Sequence, residues 1–192
     1  MVLMTFAHSD RRGLSNAQRL LSCCMLILLL TCVVSAQARS DRFKSFRLQT
    51  IDGAARTLQD YQDKATLVAF FFPSCGYCNQ ALPETVKIYN KYRAQGLAMV
   101  WINIVPDEVK QIPAWQAQHH YQDIPVLVGA SQRKLQRDYR IQMSPEHLLI
   151  DPHGKILFRQ RGYHAGNEKT LEQHVRQALG LGGQPMASSY SP

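Results

Sequence analysis

Two long apolar segments dominate the hydrophobic pattern of the chain after residue 40. Thr66 to Phe72 (TLVAFFF) and Leu97 to Val105 (LAMVWINIV) are nearly continuous runs of β-branched, aromatic and other apolar residues. A strand that is buried on both faces shows such a run, whereas a half-exposed strand alternates apolar and polar residues. The pattern therefore predicts two central strands in a sheet that is covered on both faces.

Helical patterns alternate with these strands. Gly76 to Gln95 carries apolar residues at mostly helical spacing and stops before Gly96, a residue type that commonly follows a helix. Pro83 lies inside this segment and is expected to kink it, because proline lacks an amide proton and clashes with the preceding turn. The other predicted helices are Val109 to His120, Gln132 to Tyr139 and Glu168 to Leu179.

Short extended segments complete the pattern. The turn signals Asp52-Gly53 and Asp151-Pro152-His153-Gly154 each separate two of them. The predicted short strands are Phe46 to Leu48, Thr57-Leu58, Ile124 to Val128, His147 to Ile150 and Lys155 to Arg161. The resulting alternation of strands and helices, with a β-hairpin before the last helix, predicts an α/β sandwich with a mixed sheet.

The first 38 residues have the layout of a secretory signal peptide. An uncharged apolar run, Leu20 to Ala36, leads into the small-x-small cleavage site Ala36-Gln37-Ala38. The basic residues before the run are Arg11, Arg12 and Arg19. An uncleaved membrane anchor is the alternative, since a seventeen-residue run reaches the lower limit for spanning a bilayer. Both interpretations place residues 39–192 in the periplasm or another extracytoplasmic compartment.

Removing this segment changes both the charge and the cysteine count. The whole chain has 22 Lys and Arg against 14 Asp and Glu, a net charge of +8; residues 1–38 hold three of the arginines and one acid, which leaves +6. Three of the five cysteines also lie in this segment. The remaining chain has Cys75 and Cys78 only, so no odd cysteine is left in the exported protein.

Length and composition indicate one globular domain. The chain has 192 residues, of which 45% are hydrophobic, too many for a disordered protein. Residues 39–179 are expected to form this domain, and residues 180–192, a polar segment with Gly, Ser and Pro, are expected to be a disordered tail. The sequence contains no phosphate-binding glycine loop and no nucleic-acid-binding module, which argues against those functions.

The candidate chemistry lies in the C-x-x-C motif Cys75-Gly76-Tyr77-Cys78, between a predicted buried strand and a predicted helix. Cys75 falls at the helix N-terminus, where free backbone N–H groups and the helix dipole favour a thiolate. Cys78, about one turn further along, is close enough to form a disulfide with Cys75 and to resolve a mixed disulfide. The motif and its position together predict a redox-active cysteine pair.

Other uses of two cysteines are weighed against this one. A zinc site would need two further ligands, and the available histidines do not form a second close pair with a known spacing. These histidines are His119, His120, His147 and His153. Haem attachment is excluded because Asn79, not histidine, follows Cys78. An inert structural disulfide remains an alternative.

Motifs spread over most of the mature chain match one family. They are Phe46-x-Leu48 with Asp52-Gly53, Leu58-x-x-Tyr61-x-x-Lys64, Leu67-Val68-Ala69-Phe70-Phe71, the cysteine pair followed by Pro83, Tyr139-x-Ile141, Ser144-Pro145, Leu148-Leu149-Ile150-Asp151, and Gly154-x-Ile156 before Gly162. In this order they resemble the TlpA-like branch of thioredoxin-fold thiol:disulfide oxidoreductases, which is related to the AhpC/TSA (peroxiredoxin-like) group. The resemblance implies a thioredoxin-like α/β sandwich with a central mixed sheet flanked by helices.

The resemblance also implies where a substrate binds. Pro145 matches a proline that is cis in this family and faces the cysteine pair. The backbone at Ser144 would then offer strand-like hydrogen bonds to an extended substrate segment. Gly76 and Tyr77, a dipeptide found in periplasmic disulfide isomerases, complete the expected substrate-binding residues. Tyr77 brings no positive charge to the thiolate, which favours a reductase or isomerase over a strong oxidant.

Three positions depart from the family pattern. Ser74 stands where many members have Trp, and Ala81 where many have Glu. Ala69 stands where thioredoxins bury an Asp. Each missing carboxylate removes a candidate acceptor for the proton of Cys78. The remaining candidates are water, Glu84 and His147.

The leading hypothesis is an extracytoplasmic thiol:disulfide oxidoreductase that acts as a protein-disulfide reductase or isomerase. Cys75 attacks a substrate disulfide and Cys78 resolves the mixed disulfide, with neither a cofactor nor a metal ion. The expected partners are disulfide-containing proteins and a membrane-embedded reductase that supplies electrons, and no nucleic acid.

Two further hypotheses keep the fold and change the chemistry. A peroxiredoxin-like peroxide reductase needs Thr or Ser three residues before its reactive cysteine and Pro three residues further back, but Phe72 and Ala69 occupy those positions. A non-catalytic module could use the two thiolates as ligands for Cu(I).

Overall fold

The structure is a computed structural model that describes residues 42–129 and 131–182. The strands within these residues are β1 (Arg47–Thr50), β2 (Ala55–Thr57), β3 (Ala65–Phe71), β4 (Leu97–Asn103), β5 (Val126–Val128), β6 (Glu146–Ile150) and β7 (Ile156–Arg161). The α-helices are α1 (Gly76–Tyr92), α2 (Ile112–His119), α3 (Gln132–Tyr139) and α4 (Asn167–Ala178). Short 3-10 helices are Leu58–Tyr61, Arg93–Gln95 and Pro106–Gln111.

All of these strands form one mixed sheet in the order β2-β1-β5-β4-β3-β6-β7. The central strands β3, β4 and β5 run parallel, whereas β6 and β7 on one side and β1 and β2 on the other pair antiparallel. β3 and β4 pair along their whole length, from Ala65 opposite Leu97 to Phe71 opposite Asn103. The predicted α/β class with a mixed sheet is confirmed.

The sheet has an apolar core on each face. Every residue of β3 is buried, as its continuous apolar pattern predicts. Alternate residues of β3 pack in opposite cores. Ala69 and Phe71 pack in the cluster that contains both cysteines, and Val68 and Phe70 pack in the cluster on the other face. The first core is covered by α1 and α4, which places the start of α1 directly over one face of β3.

Some element bounds differ from the sequence prediction. The predicted helix from Val109 to His120 is a 3-10 helix, Pro106–Gln111, followed by α2, because a proline opens each of the two segments. β5 is shorter than predicted and begins at Val126 after Pro125. α1 continues past Pro83 to Tyr92.

Two predictions concern residues outside the described part of the chain. The signal peptide or anchor, residues 1–38, lies wholly outside it, and so do residues 183–192 of the expected tail. Among the helices within residues 42–129 and 131–182, none is both long enough and apolar enough to cross a membrane.

Candidate active site

The cysteine pair lies where α1 begins. Cys75 is the N-cap residue of the helix, in an extended backbone conformation, and Cys78 lies in the first turn. A disulfide joins the two residues, whose Cα atoms are 5.1 Å apart. The backbone N–H of Cys78 donates to Cys75 Sγ at 3.1 Å, so the sulfur replaces the oxygen of an ordinary N-cap side chain. The N–H group and the helix dipole therefore stabilise negative charge on this sulfur.

Exposure distinguishes the two sulfur-bearing residues. Cys78 is fully buried, Cys75 is 5% exposed, and the intervening Tyr77 is 64% exposed. A thiol that arrives from solvent therefore reaches the disulfide from the side of Cys75. The large exposed ring of Tyr77 stands beside that approach.

The loop before β6 contacts the buried sulfur. The peptide bond between Ser144 and Pro145 is cis, as the resemblance implies. Ser144 Oγ lies 3.1 Å from Cys78 Sγ and 3.0 Å from the carbonyl oxygen of Phe70, to which it donates. Ser144 is 66 positions from Cys78 and 74 positions from Phe70 in the chain. The structure therefore brings the predicted cysteine pair and the predicted Ser144–Pro145 segment together.

Side-chain hydrogen bonds hold the start of α1 against α2. Asn79 Nδ2 donates to the carbonyl oxygen of Pro73 at 3.3 Å, and Asn79 Oδ1 accepts from Trp115 Nε1 at 3.0 Å. Asn79, which excludes haem attachment because it follows Cys78 in place of histidine, therefore orients the first turn of α1.

Glu108 is a neighbour of the cysteine pair that sequence analysis missed. It lies in the 3-10 helix Pro106–Gln111 after β4, and both of its carboxylate oxygens bind Ser74. Oε2 accepts from the Ser74 backbone N–H at 2.8 Å, and Oε1 accepts from Ser74 Oγ at 2.6 Å. Since Ser74 and Glu108 are 34 positions apart in the chain, no local pattern could have indicated the contact. A carboxylate thus lies against the residue that precedes Cys75.

The two protein groups considered as proton acceptors for Cys78 lie in different environments. Glu84 pairs with Lys87 at 2.7 Å on the outer side of α1, and its side chain is 37% exposed. His147 is fully buried on β6, and burial lowers the pKa of its imidazole to about 4. Ala69 and Ala81, which replace the carboxylates of related proteins, are buried as well.

A groove adjoins the cis-proline loop. Its volume is about 190 Å³, and its lining is mostly apolar. The residues that line it are Phe72, Ile104, Leu135, Gln136, Ile141, Gln142, Met143 and Ser144. Met143 is 47% exposed, and Ser144 connects the groove to the buried sulfur.

Two of the four histidines that a zinc site could use make other contacts. His119 stacks on Tyr121, with ring centroids 5.7 Å apart, and His153 lies in the turn between β6 and β7. In the part of the chain that the structure describes, no three or more His, Cys, Asp or Glu side chains are grouped as metal ligands.

Comparisons with known proteins agree with this geometry. The Redoxin family model matches residues 38–175. The thioredoxin-like protein YneN of Bacillus subtilis is 30% identical over 134 residues, which cover 68% of this chain and 74% of YneN. The thiol-disulfide oxidoreductase ResA of Halalkalibacterium halodurans is 22% identical over 113 residues, which cover 59% of this chain and 62% of ResA.

A similar solved structure supports the same assignment. The crystal structure described as a thiol:disulfide interchange protein DsbE, from Chlorobium tepidum, superposes with a TM-score of 0.64 and 26% identity. The superposition covers 72% of this chain and 96% of the Chlorobium tepidum protein. The family match covers most of the chain, and the mixed sheet and the disulfide at the start of α1 agree with it. The chain therefore belongs to the Redoxin family and is a thiol:disulfide oxidoreductase of the thioredoxin fold.

Proposed function

We propose that this protein is an extracytoplasmic protein-disulfide reductase or isomerase in which Cys75 is the attacking thiol and Cys78 the resolving thiol. One observation carries the proposal: the disulfide spans a helix N-terminus, with Cys75 as the cap and Cys78 fully buried. An attacking sulfur at the helix N-terminus and a more deeply buried resolving sulfur suit two-step disulfide exchange.

The reaction balances with the two thiols alone. In the reduced protein the Cys75 thiolate attacks one sulfur of a substrate disulfide, forms a mixed disulfide and releases the first substrate thiolate. Cys78 then loses its proton and attacks Cys75 Sγ, which breaks the mixed disulfide and releases the second thiolate. The substrate gains two electrons and, after taking up protons, two thiols; the protein is left with the Cys75–Cys78 disulfide.

The substrate segment is proposed to lie along the cis-proline loop. Ser144 Oγ contacts Cys78 Sγ, Pro145 follows it through a cis peptide bond, and Gly76 and the exposed Tyr77 lie between the two cysteines. The groove beside Met143 would take an apolar side chain that flanks the substrate cysteine. The expected substrates are therefore proteins whose disulfide lies in an accessible, extended segment.

Export and electron supply complete the proposal. The layout of residues 1–38 supports secretion, and a membrane-embedded reductase is the proposed electron donor, because an exported thiol pair needs a source of electrons in its own compartment.

N-terminal sequencing of the exported protein should find Arg39 as the first residue. Recovery of only full-length protein in the membrane would support an anchor instead.

Insulin reduction with dithiothreitol as the electron source tests the activity. The wild-type protein should accelerate reduction of insulin disulfides, and the Cys75→Ser/Cys78→Ser double variant should not. Refolding of a scrambled multi-disulfide protein then separates isomerase from reductase activity. Consumption of peroxide in place of insulin reduction, or stoichiometric Cu(I) binding without exchange, would contradict the proposal.

Glu108→Gln is expected to make the Cys75–Cys78 reduction potential more positive. The glutamine keeps an oxygen for the Ser74 N–H but removes a negative charge that opposes a thiolate at Cys75. Surface charges a few ångström apart interact by about 0.5–1 kcal/mol, so the shift should be roughly 10–20 mV. Equilibration with glutathione buffers measures it.

Asp107→Asn is the matched control, because it removes the same charge from the neighbouring position of the same 3-10 helix. It should shift the potential less than Glu108→Gln does. High salt should reduce the effect of Glu108→Gln, since screening weakens exposed charges. Equal shifts in both variants would show that the contact with Ser74 has no special influence.

A further inference from the structure

The solvent-facing side of α3 carries a stripe of arginines next to the candidate active site. Arg133, Arg137 and Arg140 follow one another at intervals of four and three residues, so they lie on one side of the helix and its C-cap. All three are exposed, whereas Leu135 and Tyr139 on the other side of α3 are buried in the core. The three exposed arginines are called the basic face below.

The basic face continues into the groove beside the cis-proline loop. Arg140 lines a hollow of about 350 Å³. The hollow shares three lining residues with the groove, Gln136, Ile141 and Gln142. The groove extends to Ser144, whose Oγ lies 3.1 Å from Cys78 Sγ. A continuous depression therefore connects the basic face with the cysteine pair.

The positive charge of α3 is not compensated within the helix. Its one acid, Asp138, is already paired with three cations, Lys44, Lys134 and Arg137. Arg133 and Arg140 form no ion pair with any residue in the described part of the chain. Among the described residues, no acid lines the groove or the hollow. The depression next to the cysteine pair therefore has a positive border.

This charge pattern opposes the stability of the helix itself. The first turn of α3 contains Arg133 and Lys134 and no acid, although the helix dipole favours acids there. Arg133 and Arg137 are four positions apart, a spacing at which like charges repel. A pattern that is unfavourable for the helix points to a role outside it. Guanidinium groups bind carboxylates through two parallel hydrogen bonds, so the partner that fits this face is acidic.

We propose that the basic face binds acidic residues that lie close to the disulfide in the chain of the substrate protein. The proposal rests on the proposed exchange reaction and names the class of substrate that the site takes. The segment beside the substrate disulfide enters the groove. Its carboxylates pair with Arg140 at the border of the groove and with Arg133 and Arg137 further along α3. These pairs hold the substrate while Cys75 attacks, and no covalent bond changes in them.

An acidic protein segment fits this face better than an anionic membrane surface does. Helices that lie on membranes insert exposed apolar side chains into the lipid. The apolar residues of α3, Leu135 and Tyr139, are buried in the core instead. A bilayer on the basic face would also cover the adjoining groove, which is proposed to receive the substrate.

Three peptides that differ only in charge measure the preference. Each has one cysteine, joined to thionitrobenzoate as a mixed disulfide and flanked on each side by Glu only, Gln only or Lys only. Attack by Cys75 of the reduced full-length protein releases the coloured thiolate, which gives a second-order rate constant. Dividing this constant by that of dithiothreitol with the same peptide removes the effect of the flanking charges on the disulfide itself.

The Glu peptide should react about tenfold faster than the Gln peptide at low salt, because electrostatic attraction raises association rates by that order or more. The Lys peptide should be the slowest. In about 0.5 M salt, the ratio of the Glu to the Gln peptide should fall to about two or less, since screening weakens exposed charges.

Charge substitutions locate this preference on the protein. The basic-face variant Arg133→Gln/Arg137→Gln/Arg140→Gln should lower the ratio to about two or less even at low salt. A ratio taken within one variant cancels any general loss of activity. The matched control removes three cations from the 3-10 helix after α1 and from α4, on the opposite face of the sheet from α3. This control, Arg93→Gln/Lys169→Gln/Arg176→Gln, should keep the wild-type ratio.

Reversal of charge makes the test sharper. Arg133→Glu/Arg140→Glu should react faster with the Lys peptide than with the Glu peptide. A wild-type ratio near one, or equal loss of the preference in the basic-face variant and the control, would overturn the proposal. It would also be overturned if wild type showed no peptide preference but sedimented with vesicles of equal parts phosphatidylglycerol and phosphatidylcholine, and the basic-face variant did not. Failure of wild type to release thionitrobenzoate from any peptide would instead refute the proposed exchange reaction.

Discussion

Cys78→Ser should accumulate substrate proteins as mixed disulfides on Cys75, and Cys75→Ser should trap few or none. The first variant retains the sulfur at the helix N-cap, which the Cys78 N–H group and the helix dipole stabilise as a thiolate. It lacks the buried thiol that resolves the intermediate. The second variant lacks the attacking sulfur. Both variants should lose insulin reductase activity to the background level.

Non-reducing electrophoresis of extracts, followed by mass spectrometry of the trapped bands, measures the difference. The Cys75→Ser/Cys78→Ser double variant is the control for non-specific capture. Iodoacetamide should label a single thiol of the reduced wild-type protein at near-neutral pH, and peptide mapping should place the label on Cys75. Preferential labelling of Cys78, or better trapping by Cys75→Ser, would reverse the assigned roles.

Arg159→Met should be the most destabilising of the charge substitutions discussed. Glu146 is fully buried, and Arg159 and Arg161 are the basic groups that pair with it. Arg159 also donates to the carbonyl oxygen of Tyr139 at 2.9 Å. Removing one partner of a buried ion pair typically costs about 3–5 kcal/mol, and the lower end is expected because Arg161 remains 3.5 Å from Glu146.

The loss should depend on pH. Burial raises the pKa of Glu146 more than the two arginines lower it. Removing Arg159 raises this pKa further, so the folded variant takes up a proton at a higher pH than the unfolded chain does. Stability is then lost as the pH rises through that range, and the difference from wild type should be largest near pH 7 and smaller near pH 4.5. Urea unfolding at both pH values measures it.

The Glu146→Leu/Arg159→Met double variant is the matched control. It replaces both charges by apolar side chains and leaves no buried carboxylate that has lost its main partner. Most of the stability lost in Arg159→Met should return in the double variant, and the pH dependence should shrink. A double variant as unstable as the single one would show that Arg159 stabilises through packing and its bond to Tyr139 instead.

Local patterns predicted the elements that depend on residues close in the chain. β3 matches its predicted run within one residue at each end, because a strand buried on both faces needs apolar side chains throughout. α3 has the predicted bounds, Gln132–Tyr139, and Ser131 caps it through its side chain. The position of the cysteine pair between strand and helix was predictable for the same reason, since only two residues lie between Cys75 and Cys78.

The sequence by itself therefore determined the α/β class, the cysteine pair and the position of Pro145 in the chain. Only the tertiary structure decided which side chains surround that pair. Glu108 reaches Ser74 across 34 residues, and His147 reaches Thr85 across 62. Glu146, which the sequence prediction left outside the strand, is buried beside Arg159. Periodicity records whether a residue faces a core or solvent, but a contact between distant residues depends on how the strands are ordered and how the helices pack on them.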